Sequence, residues 1–175
     1  MFAIYKKIKP FKSITFIYMK NLGKLIVSIV ATLSIGAAGS YFTIAEIKGW
    51  YTTLVKPSFN PPNYIFGPVW TSLYILIGIA FYLIWKSTLP TIKKKKAILF
   101  FIIQLVANFF WSILFFNQHQ IGWALIDIIV LWISILFTIF FFAKINTTSA
   151  WLLVPYISWV SFALLLNYSI WVLNK

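Results

Sequence analysis

Five long apolar stretches constrain what this chain can fold into more than any other feature. They lie at residues 24–45, 62–86, 96–117, 120–143 and 148–173. A helix of about 20 apolar residues is long enough to cross the hydrocarbon core of a bilayer. Of the 175 residues, 62% are hydrophobic, and a soluble domain of this length could not cover so much apolar surface. The sequence therefore predicts an all-α integral membrane protein, a bundle of five transmembrane helices.

The residues before the first stretch carry a second signal. Residues 1–23 predict a basic N-terminal extension, and residues 24–175 a single membrane domain with five spans. A basic start, an apolar run and the small residues GAAGS at 36–40 would also fit a signal peptide, with residues 1–39 removed. Because the apolar run from 25 to 44 has the length of a membrane span, we interpret it as the first helix.

The lysines predict how the chain is oriented. Twelve of the fifteen fall on one face of the predicted bundle: six up to Lys24, five between the second and third spans, and Lys144. The positive-inside rule then places the N-terminus in the cytoplasm. Because these lysines lie between apolar spans, they indicate a membrane surface and not nucleic acid. The bias toward lysine, isoleucine and phenylalanine suggests an AT-rich genome, and with it the inner membrane of a bacterium.

The residues that usually carry chemistry are scarce. The chain has no cysteine, one histidine and two acidic residues, so we predict no disulfide and no metal site. Nothing resembles a phosphate-binding loop, a Ser/His/Asp set or a pair of catalytic carboxylates. On these grounds we predict neither a hydrolase nor a phosphotransferase.

A proline-rich turn precedes the second span. Residues 56–74, KPSFNPPNYIFGPVWTSLY, hold four of the seven prolines. Proline lacks a backbone N–H but suits the first helical turn, so Pro61 and Pro62 predict a rigid loop that ends where a helix begins. The first turns of that helix carry Phe66, Trp70 and Tyr74.

Polar and aromatic residues of four spans fall at one depth. With a rise of ~1.5 Å per residue, Trp70, Asn108, Asp127 and Trp159 all lie roughly 10–13 Å below the outer face. Helical spacing puts Tyr74 on the face of Trp70, and Gln104, Trp111 and Phe115 on the face of Asn108. We interpret this level as the floor of a pocket. The alternative is that the aromatics fill the bundle core while the amides and Asp127 tie helices together by hydrogen bonds.

Five features occur in a fixed order along the chain: Trp50, the block 56–74, QLVANFFWSILFF at 104–116, ALIDIIV at 124–130 and AWLLVPYISWVSFALLLNY at 150–168. In this order they resemble the TspO/MBR family, also called translocator proteins, tryptophan-rich sensory proteins or peripheral-type benzodiazepine receptors. The resemblance covers about residues 49–171.

The resemblance implies a five-helix bundle, often a homodimer, with a pocket beneath the first loop. In the family that pocket binds porphyrins such as protoporphyrin IX, heme-pathway intermediates, benzodiazepine-type ligands and, in animal members, sterols. By motif, Trp70 and Trp159 match a tryptophan pair implicated in light-dependent porphyrin breakdown. Other matched positions line the pocket (Tyr74, Asn108, Trp111, Phe115, Ala163) or the loop that covers it (Trp50, Tyr51, Pro61, Pro62).

The chain departs from the family pattern in two places. Phe59 and Tyr64 stand where many members have tryptophan, which weakens a photochemical role for the loop. The sterol motif of animal members places a basic residue within about five residues of an aromatic one, whereas Lys175 follows Tyr168 with six residues between.

We therefore predict a membrane receptor or carrier for tetrapyrroles, with porphyrin as a ligand and no covalently bound cofactor. It would be an enzyme at most through slow photo-oxidative porphyrin breakdown. One alternative is a transporter for porphyrin or a small lipid, although the repeats and broken helices of transporters are not visible. The other is a regulatory membrane protein that acts through helix contacts.

Overall fold

A computed structural model describes residues 11–175 of the chain, with side chains from Met19 onward. Within that part it contains helices and no strands. Five of the helical stretches are long and apolar enough to cross a membrane. The prediction of an all-α, five-span protein is confirmed, whereas the first ten residues of the predicted basic extension lie outside the described residues.

The elements follow one another with short connections. They are α1 Phe11–Ile47, α2 Trp50–Thr53, α3 Asn63–Lys86, α4 Thr91–Ser112, a π-helical turn Ile113–Asn117, α5 Ile121–Ala143, α6 Thr147–Trp151 and α7 Val154–Leu173. Each of the last four spans begins or ends within a few residues of its predicted limits. Helix α1 begins well before residue 24, so part of the segment predicted as an extension is helical.

Local chemistry explains where these helices begin. Pro62 and Pro90 immediately precede α3 and α4, where a residue without an N–H costs no hydrogen bond. The Asn146 side chain caps α6 by accepting a hydrogen bond from the Ser149 amide at 3.0 Å. Pro155 lies in the first turn of α7 and marks the break between α6 and α7.

Helix α1 packs against α3 and α4, and α5 packs against α4 and α7. Small residues make the contact between α1 and α3 close: Ser28 and Thr32 are 99% buried, and the Thr32 hydroxyl donates to the Tyr74 carbonyl at 2.8 Å. Gly78 of α3 lies directly against the α1 backbone. Small residues of α1, namely Ser28, Thr32 and Gly36, thus pack against α3 of the same chain.

The two ends of the bundle differ. We call the end with α2 and the proline-rich loop the loop end, and the opposite end, where α3 ends and α4 begins, the basic end. Toward the basic end the interior is filled by stacked rings, with centroids 4.5 Å apart for Phe81 and Phe101 and 5.8 Å apart for Phe101 and Phe142. Toward the loop end the helices enclose a cavity.

Candidate functional site: an aromatic cavity beneath the first loop

The cavity has a volume of about 650 Å³ and lies between α1, α3, α4, α5 and α7, with α2 above it. This volume is in the range of small-molecule sites, roughly 300–1,000 Å³. Its walls are mainly apolar, with a few amides and hydroxyls. Side chains from five helices and the loop therefore converge on one space of ligand size.

Nine of the fourteen predicted site residues line this cavity. They are Tyr51, Phe66, Trp70, Tyr74, Asn108, Trp111, Phe115, Trp159 and Ala163. Three of them come from α3 and two from α7, and the others come from α2, α4 and the π-helical turn. The amide and the two tryptophans that the depth argument placed at one level do share one space.

Two polar residues predicted for the site lie outside the cavity. Gln104 is one turn further from the loop end than Asn108 and is buried behind Tyr156. Asp127 is half-buried, and one of its carboxylate oxygens is buried without a hydrogen-bond partner in the described structure. Its neighbour Ile128 lines the cavity instead, since successive helical residues point about 100° apart.

The other three lie in the loop, outside the lining. Pro61 and Pro62 belong to the turn before α3, where the Pro61 carbonyl accepts a hydrogen bond from the Asn60 amide at 3.0 Å. The Trp50 ring packs on Phe115 from outside and stacks on His119 at a centroid distance of 4.1 Å. His119 also lies 3.3 Å from the Glu46 carboxylate, so Trp50, His119 and Glu46 form a contact of three side chains.

A chain of hydrogen bonds forms the floor of the cavity. The Tyr74 hydroxyl donates to Asn108 Oδ1, and Asn108 Nδ2 donates to the Tyr156 hydroxyl at 3.2 Å. Tyr156 in turn donates to Gln104 Oε1 at 2.8 Å. The Tyr74 ring lies over Gly36 of α1, where a Cβ would overlap it. The floor thus links α1, α3, α4 and α7 and holds the Asn108 amide in a fixed orientation.

The π-helical turn shapes one wall. Its wider winding, closed by the Gln118 amide donating to the Ile113 carbonyl at 2.9 Å, stacks Phe115 on Trp111 with centroids 5.1 Å apart. The Trp111 indole donates to Asn167 Oδ1 at 2.9 Å. Sequence reasoning expected a continuous helix here, because a single π turn leaves no periodicity to detect.

Trp70 and Trp159 stand on opposite helices, α3 and α7, and each has its own aromatic neighbours. The Trp70 ring lies 5.7 Å from the Tyr74 ring and 6.3 Å from the Tyr156 ring. The Trp159 ring lies 6.0 Å from the Phe66 ring. Within the described structure the Trp159 indole nitrogen is buried without a hydrogen-bond partner. A ligand acceptor could take that N–H at no cost to existing contacts.

Two sets of hydrogen bonds hold the loop above the cavity: one lies within the segment between α1 and α3, and the other joins that segment to the end of α7. The Tyr51 hydroxyl donates to Asn60 Oδ1 at 2.9 Å. Burial raises the pKa of that hydroxyl, which the hydrogen bond opposes, so the group stays a protonated donor at neutral pH. At the end of α7, Asn174 accepts from the Val55 amide and donates to the Val55 carbonyl, both at 2.9 Å. The loop is therefore a fixed cover.

The cavity is open on one side, between α1 and α3. Its exposed lining residues all belong to these two helices: Ala37, Ser40 and Ile44 of α1 and Asn63, Tyr64, Gly67 and Thr71 of α3. A Cβ added at Gly67 would meet nothing within 4 Å. The contribution of α1 was not predicted from the sequence, since none of the fourteen predicted site residues belongs to this helix.

Comparison with known proteins agrees with this architecture. The sequence profile described as "TspO/MBR family" matches residues 27–172. The chain belongs to the TspO/MBR family. It is 44% identical over 154 residues to the tryptophan-rich protein TspO of Archaeoglobus fulgidus, covering 88% of this chain and 99% of the relative. It is 37% identical over 134 residues to the human translocator protein (76% and 79% covered). The tryptophan-rich sensory protein of Cereibacter sphaeroides is 31% identical over 139 residues (79% and 85%).

Family membership and the five apolar helices make the chain an integral membrane protein with the lipid bilayer as its surroundings. The family resemblance that the sequence motifs predicted is confirmed. The relatives support a coarse role as a membrane receptor or transporter.

Proposed function

We propose that this protein is a membrane receptor or carrier for tetrapyrroles, which bind in the cavity beneath the first loop. The observation that carries the proposal is the enclosure of about 650 Å³ by aromatic side chains from α3, α4 and α7. Flat apolar walls suit a flat macrocycle, and few polar groups are needed to orient it. Protoporphyrin IX is the probe of choice, and benzodiazepine-type molecules, flat and largely apolar, would compete for the same space.

The polar groups of the cavity would fix the orientation of the ligand. The unpartnered indole N–H of Trp159 offers one donor to an acceptor on the macrocycle edge. Asn63, the first residue of α3, is a polar residue of the open side and stands where a propionate could remain near the membrane surface, while Thr71 offers a second polar group deeper along the opening. The floor amide of Asn108 is already held by Tyr74 and Tyr156, so it serves as a rigid support.

Slow light-dependent porphyrin breakdown is the only chemistry we propose for this site. Light places the bound porphyrin in an excited state that can accept one electron from the indole of Trp70 or Trp159. The products are an indole radical cation and a porphyrin radical anion. Dissolved dioxygen adds to a ring carbon of the radical anion, and the indole radical cation takes back its electron, which leaves a neutral dioxygen adduct. Its O–O bond and one C–C bond of the macrocycle then break to give two carbonyl groups, so that one porphyrin and one dioxygen become one opened tetrapyrrole. The pigment supplies the reactive state, while the protein supplies two electron donors that line its site.

The test is quenching of tryptophan fluorescence by protoporphyrin IX, in the dark and then under illumination. Wild type is compared with Trp70→Phe/Trp159→Phe and with a matched control, Trp123→Phe/Trp151→Phe, whose rings are 63% and 67% exposed outside the cavity. We expect saturable micromolar quenching in all three, and pigment loss in light for wild type and control alone. If all three proteins bind saturably and none loses pigment in light, the protein is a receptor or carrier without photochemical activity. Absence of saturable quenching refutes the tetrapyrrole proposal.

Two finer features of the proposal need their own measurements. The family resemblance implies a homodimer, which light scattering coupled to size exclusion would measure. The lysine distribution predicts a cytoplasmic N-terminus in the inner membrane of a bacterium, which labelling of single cysteines from either side would test in this cysteine-free chain. Uptake of porphyrin into vesicles would favour the alternative, a transporter.

The open side suggests that the ligand enters from the bilayer. The loop is fastened to Asn174, whereas the residues that border the α1–α3 opening include the small Ala37, Ser40 and Gly67. We expect Gly67→Trp to narrow this opening and to slow protoporphyrin association from lipid vesicles by roughly five- to tenfold. Dissociation should slow similarly, so that the equilibrium affinity changes little. Stopped-flow quenching gives both rates.

Gly23→Trp is the matched control for this prediction. Gly23 is also an exposed helical glycine whose Cβ would meet nothing, but it lies toward the basic end of α1. Its rates should equal those of wild type. Unchanged association in Gly67→Trp would rule out entry between α1 and α3 and point to the loop instead.

A further inference from the structure

The basic end of the bundle carries a strong positive charge that no acidic side chain of the chain balances. Eight lysines of the described residues lie there: Lys20, Lys24, Lys86, Lys93, Lys94, Lys95, Lys96 and Lys144. The whole sequence has two acidic residues, Glu46 and Asp127. Glu46 is in the last turn of α1 and Asp127 in the second turn of α5, both toward the loop end.

One of these lysines has a structural role. Lys94 is 92% buried, and its ammonium donates to the Ser87 carbonyl at 3.1 Å and to the Ile84 carbonyl at 3.5 Å. It thereby satisfies carbonyls at the C-terminus of α3, where a cation is favourable. Its neighbours Lys93, Lys95 and Lys96 are exposed and make no such contact.

The position of these lysines in α4 is unfavourable for the isolated helix. Residues 93–96 lie in its first two turns, and that segment has no acidic residue and no side-chain cap. The N-terminus of a helix bears a partial positive charge, so four lysines there repel it and one another. Such a violation of local preference indicates that something outside the chain supplies negative charge.

Aromatic contacts place the charge at the depth of lipid headgroups. Lys24 Nζ lies 5.7 Å from the Trp85 ring centroid, Lys86 Nζ 5.2 Å from that of Tyr82, and Lys144 Nζ 4.0 Å from that of Phe140. Tryptophan and tyrosine at the ends of membrane spans mark the membrane interface, so ammonium groups that lie over such rings are at that depth. Binding of a soluble polyanion would not require the lysines to lie at the depth of the membrane interface. The phosphates of lipid headgroups do lie at that depth.

We propose that the basic end is a binding surface for anionic phospholipid headgroups, formed by the exposed lysines of α1, α3 and α4 and by Lys144, which follows α5. Anionic lipids attract each lysine near a membrane surface by about 1 kcal/mol, on the order of fivefold in affinity. Several adjacent lysines therefore select phosphatidylglycerol over phosphatidylcholine. The surface lies at the far end of the bundle from the cavity and does not depend on its ligand.

Lipid retention by the purified full-length chain tests this proposal. The protein is exchanged into micelles with equal amounts of phosphatidylglycerol and phosphatidylcholine of the same acyl chains, and retained lipids are counted by native mass spectrometry. We expect wild type to retain phosphatidylglycerol preferentially, and Lys93→Gln/Lys95→Gln/Lys96→Gln to lose that preference by about tenfold or more. Lys94 is left intact because of its structural contacts.

The matched control removes the same charge at the other end, with Lys48→Gln/Lys56→Gln/Lys175→Gln. It should keep the wild-type preference, and in wild type the preference should fall as salt is raised from 50 to 500 mM. The salt series is informative even if a variant fails to fold. Equal retention of both lipids by wild type, or equal losses in both variants, overturns the proposal. Displacement of the lipid by a short single-stranded oligonucleotide at physiological salt also overturns it, in favour of nucleic acid.

Discussion

Replacing Gly78 by leucine is expected to disrupt the packing of α3 on α1 and to lower the stability of the folded protein. A Cβ at this position would lie 2.7 Å from the Ile29 Cα and 3.0 Å from the Ser28 carbonyl oxygen. Both are backbone atoms, so no side-chain rotation relieves the overlap and the two helices must separate. Separation also breaks the hydrogen bond from Thr32 to the Tyr74 carbonyl and moves Tyr74 at the cavity floor.

The expected loss of stability in Gly78→Leu follows from the cost of overpacking. Inserted side chains cost about 1–3 kcal/mol in adaptable cores, and the upper end applies where backbone must move. For a chain of this length, ~3 kcal/mol corresponds to a fall in Tm of roughly 6–12 °C. This change in Tm is measured by thermal unfolding in detergent, with tryptophan fluorescence as the signal. Gly23→Leu, at a glycine with open space around it, is the control and should unfold with wild type. If both variants unfold together, the close α1–α3 contact is not essential.

Sequence reasoning reached the fold because a bilayer leaves few choices. Five apolar runs of span length can only become helices, since each backbone polar group must be satisfied within its own segment. Prolines at 62, 90 and 155 mark helix starts by stereochemistry that acts within one turn. Both rules depend only on residues within one segment, so they predict the helices from the sequence alone.

The residues of the site were harder to predict from the sequence than the fold, and individual residues show why. Depth along a helix is linear in sequence, so Trp70, Asn108 and Trp159 were placed at one level and do share one cavity. Rotation about a helix is harder to infer for a lone polar residue. Asp127 had the expected depth, but the adjacent Ile128 is the one that faces the cavity. The opening beside Gly67 depends on how α1 and α3 diverge, which no single segment encodes.

Filling the cavity from α7 is expected to have the largest effect on ligand binding. Ala163 lines the cavity beside Trp159 and Val160, and it is the smallest side chain that α7 contributes. Ala163→Trp would place an indole in the space that a macrocycle needs. We expect protoporphyrin affinity to fall at least tenfold, because a close-packed aromatic wall cannot accept two ring systems where it was shaped for one.

Substitutions of increasing size at Ala163 distinguish weaker binding caused by filling of the cavity from weaker binding caused by unfolding. Ala163→Leu should weaken binding less than Ala163→Trp, while both keep a Tm near that of wild type, because the new side chains enter existing space. Ala143→Trp, at the exposed end of α5, adds the same indole outside the cavity and should bind like wild type. If Ala163→Trp folds and still binds with wild-type affinity, the ligand site is not this cavity. The aromatic walls of Trp70, Trp111 and Trp159 would then serve only to pack the bundle.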